Sequence, residues 1–115
     1  MDHSKIEFGM YSPQDLNDGY SGDAHHYTMG KLSEAAPAGA FLYFECVSPQ
    51  FKGSKERPMR IVGSFSHREA TAQKTPEHLA ENMTIVHAAS LAVAKKLQCE
   101  NNGGLPEKPV LTPRS

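Results

Sequence analysis

The chain has 115 residues, of which 38% are hydrophobic and 22% charged, with a formal net charge of −1. That is enough for one domain with one core, and it excludes disorder throughout the chain. No apolar stretch has the length of a membrane-spanning helix, and a net charge this small argues neither for nor against a nucleic-acid partner.

The distribution of charge says more than its sum. Residues 1–36 hold six acids and two bases, whereas residues 37–74 hold six bases (Lys52, Lys55, Arg57, Arg60, Arg68, Lys74) and three acids. Opposite halves of this kind can pair within one chain or head to tail between chains.

Lys5 to Tyr11 alternates, with Ile6, Phe8 and Met10 on one side, and predicts a short strand with one buried face. Ser12-Pro13-Gln14-Asp15 carries a capping residue, a proline and an acid, and predicts a brief helical turn over 12–17. Residues 18–30 are punctuated by glycine, aspartate and serine and read as a loop. Tyr20, His25, His26 and Tyr27 in it form a candidate contact surface. Lys31 to Ala36 reads as a further turn of helix, stopped by Pro37.

Ala40 to Val47 and Met59 to Phe65 both alternate and predict an antiparallel hairpin, with Leu42, Phe44 and Cys46 facing inward. Gly63 inside the second strand predicts a bulge or a close backbone approach. Ser66-His67-Arg68-Glu69 has the form of a capping box. Thr75-Pro76-Glu77 starts a long helix over 75–99, whose Leu79, Met83, Val86, Ser90, Val93 and Leu97 form one stripe, widened by Ile85, Ala89 and Ala92. Asn101-Asn102-Gly103-Gly104 ends it. Residues 1–104 are thus read as one α+β domain, a small antiparallel sheet with a helix across one face, and the proline-rich 105–115 as an extended tail whose Val110 and Leu111 could dock on a partner.

Two cysteines do not make a disulfide framework, so Cys46 and Cys99 are expected as free thiols in a reducing cytoplasm, consistent with a start that lacks the form of a signal peptide. Cys46, turned inward, reads as an inert thiol. The histidines lack the spacing of a helical metal pair, and the Asp15–Asp23 cluster fails the calcium-loop pattern, so no metal or cofactor is assigned. No motif supplies a catalytic residue; an enzyme would need His25, His26 or His67 to meet a carboxylate in a pocket.

The remaining signal is the hairpin connection. Lys52, Lys55, Arg57 and Arg60 lie along it beside Phe51, with Arg68 beyond, as a candidate site for an anionic partner or ligand. The expected function is a non-enzymatic binding or regulatory protein acting through protein partners or self-association. Nucleic-acid or nucleotide binding through the basic loop is the alternative.

Overall fold

The structure, a computed structural model, describes residues 4–17, 24–66 and 75–112. It is a five-stranded antiparallel sheet with one long helix packed on one face, as the α+β expectation required. The strands are β1 (Lys5–Met10), β2 (His25–Tyr27), β3 (Leu32–Ala36), β4 (Gly39–Cys46) and β5 (Met59–Ser66), in spatial order β1-β5-β4-β3-β2. A 3-10 turn, Pro13–Asn17, follows β1 where the capping pattern predicted it, and Ser12 N–H donates to the Asp15 carboxylate at 2.9 Å.

The hairpin of β4 and β5 is the centre of the sheet, with Leu42 opposite Gly63 and Phe44 opposite Ile61. Helix α1 (Pro76–Lys96) lies across β4, with β3 and β5 on either side. Thr75 Oγ1 accepts from His78 N–H at 3.1 Å, and Pro76 follows where a missing N–H is harmless. Leu79, Met83, Val86 and Ser90 are buried as the spacing predicts, joined by Asn82, His87 and Ala94. Ile85, expected to widen the stripe, is instead exposed. Two polar members of the buried face are tied down, since Asn82 Nδ2 donates to Ala36 O at 2.7 Å and His87 Nε2 lies 2.8 Å from Pro106 O, whereas the Ser90 hydroxyl has no hydrogen-bond partner among the described residues.

Gly63 proves to be a close approach. A Cβ there would lie 2.6 Å from Ser90 Oγ and 2.7 Å from Phe8 Cε1, so only glycine lets the helix and the Phe8 ring meet over β5.

Four expectations are corrected. Residues 32–36 are a strand, because Leu32 to Ala36 pairs along Tyr43 to Gly39; their good helix formers are overridden by pairing with β4 on one side and β2 on the other. His25–Tyr27 is a strand rather than loop, paired to Ala35–Ser33. Cys46 and Cys99 are not free thiols but a disulfide, with Cα atoms 5.0 Å apart, joining the end of β4 to the chain just past α1. Val110, expected to be available to a partner, instead packs against the chain's own core, where its N–H reaches Met29 Sδ at 3.3 Å, and Leu105 before it is buried.

A fifth difference concerns β1. All six of its residues are exposed, with Ile6 46%, Phe8 39% and Met10 68% accessible. The alternation is real, since Ile6, Phe8 and Met10 stand opposite Phe65, Gly63 and Ile61 on the helix side of the sheet. The helix covers the middle of the sheet, and β1 is its outermost strand.

Candidate functional site

The expected basic site is divided by the fold. Phe51, Lys52 and Lys55 line one open cleft of about 470 Å³ beside Val47, together with Glu56 and Glu100, so the two lysines share it with two carboxylates. Arg57 is exposed in the same connection. Arg60 is elsewhere: it stands on β5 opposite Glu45, on the sheet face away from α1. Arg68 lies outside the described residues, as do His67 and Tyr20. The loop itself is held by its serines: Ser54 Oγ donates to Ser48 O and accepts from Ser48 N–H, both at 2.9 Å, and Ser48 Oγ donates to Leu97 O at the helix end.

The expected His/Tyr surface is likewise split by the pleat of β2. His25 and Tyr27 share one side and His26 takes the other. Tyr27 is 2% exposed and belongs to the core. His26 Nε2 lies 2.9 Å from Glu34 Oε2 across the β2–β3 pair, with Glu34 buried and His26 partly exposed. This is a histidine–carboxylate pair at hydrogen-bond distance. It is a cross-strand contact between neighbours on β2 and β3. Among the described residues no three His, Cys, Asp or Glu side chains gather as a metal site requires, and no helix is long and apolar enough to cross a membrane.

On the sheet face away from α1, Tyr11 and Tyr43 meet edge to face with ring centroids 4.9 Å apart. The Tyr11 hydroxyl is buried and has no hydrogen-bond partner among the described residues. Burial first, then the Glu45 carboxylate, pushes its pKa from 10.0 up to about 12; Arg60 pulls the other way and Tyr43 adds to the rise. Between those values the unfolded chain gives up a proton that the folded chain keeps. The stability linked to this group is therefore whole below pH 10.0 and lost as pH rises through about 12. In chemical denaturation across that range, Tyr11→Phe is expected to show a shallower loss of stability than wild type, and to be neutral or slightly stabilising at pH 7, since no hydrogen bond is sacrificed.

The site that sequence reasoning missed is β1. Tyr11 N–H donates to Arg60 O at 3.2 Å, which sets the phase of the β1–β5 ladder. By antiparallel alternation, Lys5, Glu7 and Gly9 turn their backbone groups toward β5, while Ile6, Phe8 and Met10 turn theirs to the open edge. The same three residues therefore offer exposed apolar side chains together with N–H and C=O groups that no strand among the described residues pairs. On the other face Lys5 and Glu7 pair at 3.2 Å, largely in solvent, a contact of little energetic weight. The opposite edge of the sheet, β2, has only three residues. The alternation of β1 was legible; its exposure was not, because a strand's own sequence does not say which strands the helix will cover.

Comparison of the chain with protein-family models, with curated proteins and with solved structures finds no match.

Proposed function

We propose that this protein is a non-enzymatic binding or regulatory factor that acts through protein–protein contacts, with β1 as its principal contact strip. One observation carries the reading: Ile6, Phe8 and Met10 combine a strand edge left unpaired among the described residues with an exposed apolar stripe, in six residues that contain no proline. Soluble proteins ordinarily protect such an edge, and a strand from a partner completes it by adding hydrogen bonds and apolar contact together. The test is recovery of the chain from its own cells. Wild type is expected to carry a bound protein chain in stoichiometric amount, and Ile6→Lys/Met10→Lys to lose it; equal recovery by both would sink the reading.

The basic loop supports a secondary contact with an anionic partner, nucleotide or nucleic acid, because Phe51, Lys52 and Lys55 line one cleft. Lys52→Ala/Lys55→Ala should then weaken binding to a polyanion and flatten its dependence on salt. The acids Glu56 and Glu100 in the same cleft make this the weaker reading. The Cys46–Cys99 bridge departs from the free thiols that the expected cytoplasmic location implied; a buried bridge of this kind is favoured by an oxidising compartment.

A further inference from the structure

We infer that the strand added to β1 is the β1 of a second copy of this chain, paired antiparallel about a two-fold axis that passes between the two Phe8 residues. The inference rests on the reading of β1 as a contact strip and names its occupant.

The backbone sets the possible registers. Only residues whose N–H and C=O point outward can exchange hydrogen bonds, and these are Ile6, Phe8 and Met10 within β1. With Phe8 facing the partner's Phe8, Ile6 faces the partner's Met10 and Met10 the partner's Ile6. Every outward group of the strand is then used, and all the exposed apolar side chains of β1 fall in one unbroken patch on the helix side. Glu7 stands opposite the partner's Gly9 and keeps its own Lys5 at 3.2 Å.

Shifting the register toward Met10 would leave Ile6 opposite the partner's Ser12 or beyond it, outside β1, and shifting it toward Lys5 fails on sequence. If Ile6 faced the partner's Phe8, Glu7 would face the partner's Glu7, and like charges directly opposite are unfavourable. If Ile6 sat on the axis, the polar Ser4 would lie against the partner's Phe8 and Met10 would fall beyond the partner's β1. Pairing of β1 with the other edge is also poor, because β2 is three residues long against six, and a head-to-tail contact of that kind propagates instead of closing. A two-fold β1 pair consumes both long edges at once.

The strand is prepared for this contact. The Phe8 ring is seated over Gly63, against the place where any larger residue would put its Cβ. An aromatic side chain already held in position loses less freedom on binding. The product is one continuous sheet made of two five-stranded halves, with both α1 helices on the same side and the Ile6, Phe8 and Met10 side chains between them as the floor.

Sedimentation equilibrium of the full chain over a range of concentrations, with variants carrying one added cysteine oxidised in parallel, tests the inference. Wild type is expected to be a dimer. Met10→Lys, at a position 68% exposed in the single chain, should leave the circular dichroism unchanged and weaken the dimer by about tenfold or more. Phe8→Cys should cross-link to itself, since facing Cα atoms in such a pair are about 5.5 Å apart, and Ile6→Cys should not. Cross-linking of Ile6→Cys but not Phe8→Cys overturns the register. A dimer indifferent to Met10→Lys overturns the site. A monomer that still holds a different protein through β1 overturns the second copy while leaving the contact-strip reading in place, and a monomer that holds nothing overturns both.

Discussion

Replacing Cys46 and Cys99 together by serine is expected to destabilise the protein by about 2–4 kcal/mol, seen as a Tm lower by roughly 10–15 °C. The bridge closes a segment with a sequence separation of 53, which spans β5 and the whole of α1. Chain-entropy arguments give about 4 kcal/mol for a loop of that length, an upper value because residual structure in the unfolded chain subtracts from it. Position matters as well as length. Cys46 is fully buried at the end of the central strand, and Cys99 follows the helix, so the bridge fastens the C-terminal end of α1 to the sheet it covers. The N-terminal end has other fastenings, Asn82 to Ala36 O and His78 Nε2 to Pro37 O at 3.1 Å. Loss of the bridge should therefore loosen Leu97 to Leu105 first, and hydrogen exchange should rise there before it rises in β4. Denaturation of wild type with and without reductant, beside the double variant, separates the bridge from the substitution. An intact mass showing two free thiols in the purified protein would remove the basis of the prediction.

Much of this fold was legible because its strongest elements are periodic. The alternation of Ala40 to Val47 and Met59 to Phe65 gave the central hairpin, and the spacing from Leu79 to Leu97 gave α1, each with its inward face. Gly63 announced a close approach, though not that Phe8 and Ser90 would be the two neighbours. What stayed hidden is non-local. Leu32-Ser33-Glu34-Ala35-Ala36 has the propensity of a helix, and only its pairing with β4 makes it a strand. Glu34 is buried there, against the ordinary rule for a carboxylate, because His26 arrives opposite it from β2. Two cysteines far apart in sequence carry no sign that the end of β4 and the end of α1 will meet. The basic residues looked like one cluster along the chain. Sheet geometry sends Arg60 to the face of Glu45 and Tyr11 and leaves Lys52 and Lys55 at the loop.

Phe44→Ala is expected to cost about 3–5 kcal/mol, enough to consume a large part of the stability of a domain this size. Phe44 is wholly buried on β4, opposite Ile61 and beneath the helix, and is the largest of the fully buried side chains among the described residues. It also supports a third layer. After Cys99 the chain turns through Asn101, Asn102 and Gly103 with φ of 53°, 54° and 68°, a short left-handed stretch that asparagine and glycine tolerate best. A Cβ at Gly103 would lie 2.7 Å from Phe44 Cδ2, so the turn rests directly on the ring. Gly103→Ala should therefore be destabilising twice over, by its positive φ and by collision with Phe44. The two parts separate in a double-mutant cycle. With Phe44 already reduced to alanine, the collision is gone and only the backbone cost remains, so the pair should be less destabilising than the sum of the singles by about 0.5–3 kcal/mol. Additive costs in urea denaturation would mean that the turn does not bear on the ring, and that the left-handed stretch is held by other contacts, such as Asn102 Nδ2 donating to the Glu107 carboxylate at 2.8 Å.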